Sequence, residues 1–271
     1  MSQPSNGPSD SVSSSPEPLL DRTVTHASRL RALALVPLVT ALLNGGDLLA
    51  VGEADGISIH ASFPVYRYDL WSFIDPPSGD GLSASVPFGA LDPLVLVAPL
   101  LGAYVVVSGT LSAGYFGSIA DGITTGQFDF AAGVRRFALR MIALEVFVIV
   151  ALVATFLPLL IVPPLFVLAV LAILVIGYLF FPTVYLIVLE DRGVESAARR
   201  AYGLVTRQQP LGFFLAVAVA TALCSVPLSL LARGHPLFGV LAAIAAAPLG
   251  LAFNVGTALK VAEMAGIETV R

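Results

Sequence analysis

Six long stretches of the chain are dominated by apolar residues, and polar residues separate them. Each stretch holds about 20 or more residues, which is the length that an α-helix needs to cross the hydrocarbon core of a bilayer. Backbone amides in hydrocarbon have no water to bond, and the alternating pattern of a membrane β-barrel does not occur here, so we expect helices. The six predicted spans are residues 32–51, 94–118, 141–162, 165–189, 211–232 and 237–258.

Two connections between the spans have the pattern of amphipathic helices. At about 100° per residue, the connection after the fourth span has one apolar side and one side with four arginines. The apolar side is Val194, Ala197, Ala198, Ala201 and Val205, and the basic side is Arg192, Arg199, Arg200 and Arg207. The connection before the third span repeats this design, with Phe130, Val134, Phe137 and Met141 opposite Arg135 and Arg136.

These two amphipathic helices predict a contact with lipid. We expect both to lie in the cytoplasmic headgroup layer, with their apolar sides in the membrane and their arginines near anionic lipid phosphates. The alternative is that each helix packs as a solvated cap on its own bundle. The predicted fold is therefore all-α, a polytopic membrane bundle of six transmembrane helices with two cytoplasmic amphipathic interfacial helices.

Composition excludes several classes of protein. The 271 residues are 57% apolar and 12% charged, whereas soluble domains are about 45–50% apolar and about 25% charged. The net charge of −4 argues against a nucleic-acid partner. One cysteine, Cys224, and three scattered histidines supply neither a disulfide nor a metal site. We therefore expect no cofactor, no catalytic residues and no enzymatic activity.

The basic residues predict the orientation. Of the 14 lysines and arginines, only Arg67 and Arg233 lie in segments predicted to be outside, and the other twelve lie on the opposite side of the spans. Cytoplasmic loops of membrane proteins carry an excess of Lys and Arg. We therefore expect a multi-pass protein of the cell membrane with both termini in the cytoplasm.

The remaining segments divide the chain into a tail and a membrane domain. Residues 1–28 are rich in Ser and Pro and predict a disordered cytoplasmic tail, while residues 29–271 form the six-helix domain. A cleaved signal peptide ending near residues 52–54 is the alternative for the first span. The outer loop, 52–93, contains an alternating stretch that predicts a short strand at 57–65, and an aromatic stretch typical of the headgroup layer. A lid over the bundle is one interpretation of this loop.

Three polar residues within the spans are candidates for function, because charge and polarity in hydrocarbon are costly unless they are used or paired. They are Asp47, Glu145 and Asn254. One interpretation makes the two carboxylates parts of an ion or proton path. The other places Asp47 at the outer interface, pairs Glu145 with Arg140, and uses Asn254 with the span tyrosines for hydrogen bonds between helices.

Small residues in the second span predict close helix packing. Gly109, Ala113 and Gly117 recur every four residues, so one face of that helix has almost no side chains. Such a face lets another helix approach closely. The spacing leaves open whether that helix belongs to the same chain or to a second copy.

The cytoplasmic connection also carries a family resemblance. The residues that carry it are Pro182-Thr183-Val184, the run Glu190 to Tyr202, and Gln208 to Phe214, with an upstream segment from Gly109 to Phe137. This pattern resembles uncharacterised prokaryotic multi-pass membrane proteins, including the membrane domain fused to some glycerophosphoryl diester phosphodiesterases. The resemblance implies a helical membrane architecture and supplies no catalytic residue. Glu195, Ala197, Ala198 and Gly203 also resemble the loop by which transporter permeases bind an ATPase subunit.

Together these patterns favour a non-enzymatic integral membrane protein. Its expected role is a scaffold, a module that binds a membrane or cytoplasmic protein partner, or a module that interacts with the lipid bilayer and its anionic lipids. A transporter or permease subunit is the alternative. That alternative requires a polar cavity near the bilayer midplane, formed by Asp47, Asn254 and the span tyrosines.

The predicted orientation can be tested with single cysteines in a background that lacks Cys224. On intact cells, a cysteine in the 75–92 segment should react with a membrane-impermeant thiol reagent, because that segment is predicted to be outside. A cysteine at Ser196 should react only after the cells are opened. The reverse labelling pattern would contradict the orientation.

Overall fold

The computed structural model describes residues 18–43, 51, 68–74, 93–156 and 166–270, and every regular element within them is helical. The α-helices are α1 Leu19–Arg29, α2 Leu35–Leu43, α3 Pro93–Thr124, α4 Phe130–Phe156, α5 Phe166–Phe180, α6 Thr183–Leu189, α7 Val194–Gln208, α8 Leu211–Leu231 and α9 Pro236–Ala265. Single turns of 3₁₀ helix occur at Arg31–Ala34 and Leu70–Ser72.

Five helical stretches are long and apolar enough to cross a membrane. They are Pro99–Thr124, Phe130–Thr155, Val167–Leu189, Leu211–Leu231 and Leu237–Ala265. This confirms a helical, multi-pass type of architecture and matches five of the six predicted spans. The first predicted span corresponds only to a shorter apolar helix, Arg31–Leu42, and residues 44–50 lie outside the described part of the chain. The sixth crossing therefore stays a prediction.

The helices pack most tightly at one end of the bundle. Helix α3 meets α4 and helix α6 meets α7 at this end. We call it the basic end, because most of the arginines lie there. Large side chains from three helices are buried there to 1% exposure or less: Phe116, Ile119 and Ile123 of α3, Leu186 and Ile187 of α6, and Val255 and Leu259 of α9. We call the opposite end the far end.

Helices α3 and α4 meet along the stripe of small residues. A Cβ atom on Gly117 would lie 2.8 Å from the Cα atom of Gly133, and one on Gly109 would lie 2.9 Å from the Cα atom of Ile142. Ala113 is fully buried in the same seam. The partner of the stripe is therefore α4 of the same chain, which answers the question that the spacing alone left open.

The predicted disordered tail is wrong from Leu19 onwards, because residues 19–29 form α1. Its Thr23 is buried against Gly256 of α9. The guanidinium of Arg22 donates to the Thr269 hydroxyl, and the His26 imidazole Nε2 lies 3.1 Å from the Val270 carbonyl oxygen. Burial lowers the pKa of His26, so the ring keeps its neutral form more readily. Tertiary contacts with the end of the chain thus order a polar segment; residues 1–17 lie outside the described part.

The interfacial helix predicted before the third span is not a separate element. Residues 130–141 and the third span form one continuous helix, α4, because no helix-breaking residue separates them. Phe137 and Met141 are buried in the bundle rather than placed in the headgroup layer. The fourth span shows the opposite difference, since a turn at Phe181 and Pro182 divides it into α5 and α6.

The seam between α3 and α4 generates a prediction about stability. The substitution Gly117→Ala places a methyl group against backbone that cannot move aside, so it should lower the free energy of unfolding by about 1–3 kcal/mol. Gly102→Ala on the same helix is the matched control, because a Cβ there has no atom within 4 Å. Thermal or denaturant unfolding in detergent measures both. Equal stability of the two variants would contradict the packing.

Candidate functional site

The most polar point within the helix core is the side chain of Asn254. It lies on α9 with 0% of its surface exposed. The Tyr185 hydroxyl donates to its Oδ1 atom at 3.0 Å, and its Nδ2 atom donates to the Tyr115 hydroxyl at 3.0 Å. Phe116 packs edge-on against both tyrosine rings, at centroid distances of 5.1 and 5.4 Å. One carboxamide therefore joins α3, α6 and α9.

This cluster has the chemistry of a structural crosslink. Tyr115 and Tyr185 are buried to 1% exposure or less, and the Asn254 amide has a partner on each of its two polar atoms. Interhelical hydrogen bonds of this kind stabilise membrane bundles. The other span tyrosines do not join it. Tyr104 is 59% exposed on α3, and Tyr178 packs against Phe214 at 5.1 Å.

Part of the predicted outer loop enters the bundle beside this cluster. The Tyr68 carbonyl oxygen lies 2.5 Å from where a Cβ atom on Gly250 would be, which only glycine allows. Gly250 is 14 residues along α9 from Pro236, or about 21 Å from the far end. The Tyr68 and Phe73 rings pack on Phe253 at 5.2 and 5.7 Å. These aromatic residues were expected in the headgroup layer, and for them that expectation is wrong.

The segment 68–74 supplies its own polar contacts at that depth. The Asp69 carboxylate accepts a hydrogen bond from the Trp71 backbone N–H at 3.1 Å, and the Ser72 hydroxyl accepts one from the Asp69 N–H at 3.3 Å. Irregular backbone is tolerated at membrane depth only where it is surrounded by protein or a polar cavity.

The predicted strand at 57–65 and the candidate Asp47 lie outside the described residues.

Glu145 of α4 contacts a different residue from the one expected. The Ser108 hydroxyl of α3 donates to its Oε1 atom at 2.8 Å. The expected pair with Arg140 is wrong, because the Arg140 guanidinium instead binds Asp191. Residues five apart on a helix lie about 140° apart around its axis, so these two side chains leave α4 in different directions.

The candidate headgroup arginines are mostly paired within the chain. Asp191 accepts from Arg136 at 2.8 Å and from Arg140. There are four further ion pairs: Arg192 and Arg200 with Glu190, Arg199 with Glu195, and Lys260 with Glu263. Arg135 and Arg207 are exposed and have no carboxylate partner among the described residues. Asp191 and Glu190 are each shared by two arginines, so most of these arginines are paired but the surface keeps a net positive charge.

The apolar side of α7 is also occupied. Ala197, Ala201, Leu204 and Val205 are buried in the main core of the bundle. The structure therefore shows the packing alternative for this helix rather than immersion of its apolar side in lipid. On its outer side, a shallow cavity of about 370 Å³ is lined by Arg192, Glu195, Ser196, Arg199 and Arg200.

Four site residues were missed by the sequence reasoning. Glu190 and Asp191 stand directly beside the arginine run, and counting both signs of charge in that connection would have indicated internal ion pairs. Ser108 and Tyr115 carry no such signal. Their partners come from helices that are 37 and 139 positions away in the sequence.

Comparisons with known proteins return no match: no protein family, no curated protein and no solved structure is similar enough to this chain to be recognised. Within the described ranges, no group of three or more His, Cys, Asp or Glu side chains could hold a metal ion. The site must therefore be interpreted from its own geometry.

The pair of arginines on Asp191 predicts a pH dependence. The hydrogen bond from Arg136 is the largest cause that lowers the pKa of Asp191, and the hydrogen bond from Arg140 is the next. Together they hold this pKa below its ordinary value. The stabilisation that these two pairs give the fold is therefore complete at pH values above the unfolded-state pKa of Asp191, about 4. It is lost as the pH falls through the lower folded-state pKa. Asp191→Asn should reduce stability at pH 7 by about 0.5–1 kcal/mol, since the pair is partly exposed.

Asparagine tolerates the left-handed backbone of Asp191, where φ is 54°, so the substitution isolates the charge. Melting curves from pH 7 to pH 3 should show a smaller acid-induced loss for Asp191→Asn than for the parent. Glu195→Gln, which removes a carboxylate from a fully exposed pair, is the control. Parallel curves for the parent and Asp191→Asn would contradict the assignment.

Proposed function

We propose that this protein is a non-enzymatic module of the cell membrane that serves as a scaffold and binds a protein partner through its lipid-facing helices, with both termini cytoplasmic. The observation that carries the proposal is the exposure of the apolar side chains of α5. From Val167 to Gly177 only Ala169 is buried, while Val167, Leu168, Leu171, Val175 and Ile176 are each more than half exposed. A helix at the edge of a bundle normally buries one side.

The polar groups of the bundle support a closed core. Each polar atom of the Asn254 amide has a tyrosine partner, and the Glu145 carboxylate accepts a hydrogen bond from the Ser108 hydroxyl. A transported solute would need such groups to be free, or to become free. These two groups are therefore engaged within the bundle, and its outer apolar surface is the main means of interaction that we assign to it.

A transporter or permease subunit is the second candidate, and two observations favour it. The turn at Phe181 and Pro182 divides one span into α5 and α6, and segment 68–74 reaches the middle of α9. Discontinuous helices and irregular backbone near the midplane are typical of transporter binding sites. Against it, the α7 helix that would contact an ATPase subunit has its alanine face buried in its own bundle.

Water access to the Asn254 cluster separates the two candidates. Thr257 is fully buried one turn along α9, and Thr257→Cys changes little in size. In a Cys224→Ser background, this cysteine should remain unmodified by a charged thiol reagent added to either side of the membrane. Ser196→Cys, at the surface of α7, should react completely in the same time and serves as the control. Rapid modification of Thr257→Cys would replace the scaffold proposal with the transporter.

A further inference from the structure

We infer that Glu145 is the recognition point for a transmembrane helix of another protein, one that carries a lysine or arginine near its cytoplasmic end. This inference rests on the proposed partner-binding function and names the chemistry of the partner.

Glu145 lies inside the apolar part of α4. The last arginine before it is Arg140, and no other charged residue occurs from 141 to 156. Five residues of helix place Glu145 about 7 Å further from the basic end than Arg140. A carboxylate at that depth is costly unless it finds a partner.

The chain itself meets only part of the need of Glu145 for a partner. Ser108 donates one hydrogen bond to Oε1, at 2.8 Å, while Oε2 accepts none from the described residues and Glu145 is partly exposed beside the seam of α3 and α4. Within the described ranges, no Lys, Arg or His nitrogen lies within 4 Å of it, and Arg140 is committed to Asp191.

The surface around the carboxylate suits a helix. On the same faces of the two helices, side chains that are more than 40% exposed continue from Glu145 toward the far end. They are Leu101 and Tyr104 on α3, and Val148 and Leu152 on α4. A partner helix along this seam would bury apolar surface and bring its own side chain to Glu145.

The charge identifies the occupant as a different protein. A second copy of this chain offers no cation at that depth, because the cations within its apolar helices all lie nearer the basic end; they are Arg135, Arg136, Arg140 and Lys260. Lipid amines lie in the headgroup layer, outside the hydrocarbon core. A lysine or arginine on a partner helix reaches this depth with its flexible apolar stem.

The test uses the full chain reconstituted in lipid vesicles and a fluorescent leucine–alanine transmembrane peptide. One peptide carries a single lysine one to two turns inside its end, and the other has leucine at that position. Energy transfer should show that the lysine peptide associates roughly tenfold more strongly with the parent protein. Glu145→Gln should remove that difference, and Glu263→Gln, which removes an exposed carboxylate at the basic end, should preserve it.

The outcomes that overturn the inference are distinct. Equal association of both peptides with the parent protein would overturn it without any substitution, so a misfolded variant cannot hide the result. Three further results would also overturn it. One is an unchanged lysine preference in Glu145→Gln. The other two are loss of the preference only when phosphatidylethanolamine is present to compete, and loss of self-association in Glu145→Gln. The last two point to a lipid amine and a second copy. Modification of Thr257→Cys, in contrast, would overturn the proposed function alone.

Discussion

Hydrocarbon offers no water to a polar side chain, so each such group within the bundle needs a partner from the protein. The Asn254 carboxamide meets this constraint by bonding the Tyr115 and Tyr185 hydroxyls, which come from two other helices. Phe116 packs between the two rings, and segment 68–74 lies against the same stretch of α9. The positions of α3, α6 and α9 therefore depend on one buried amide.

The two ends of the bundle differ in what holds them. At the basic end, ion pairs around Glu190 and Asp191 connect α4 with the residues that join α6 to α7, and α1 packs on α9 beside the end of the chain. Toward the far end, α5 stands with apolar side chains exposed on nearly every side. The ion pairs thus lie at the basic end, and the apolar surface that the proposed scaffold role uses lies toward the far end.

Sequence reasoning predicted the features that depend on length and local spacing. The α3 and α9 helices follow from apolar runs, and the seam of Gly109, Ala113 and Gly117 follows from a period of four. It failed where distant segments decide the outcome. The α1 helix is polar and is ordered by Thr269 and Val270. Tyr68 and Phe73 are buried where Gly250 leaves room for the backbone of their segment.

Asn254, Tyr115 and Tyr185 form one closed crosslink, and a double-mutant cycle on unfolding in detergent tests this crosslink most directly. Asn254→Leu and Tyr185→Phe should each lower the free energy of unfolding by about 1–3 kcal/mol. The double variant should lose about 0.6–1.7 kcal/mol less than the two single losses combined. Full stability of Asn254→Leu, or strictly additive losses, would show that this crosslink does not hold the bundle together.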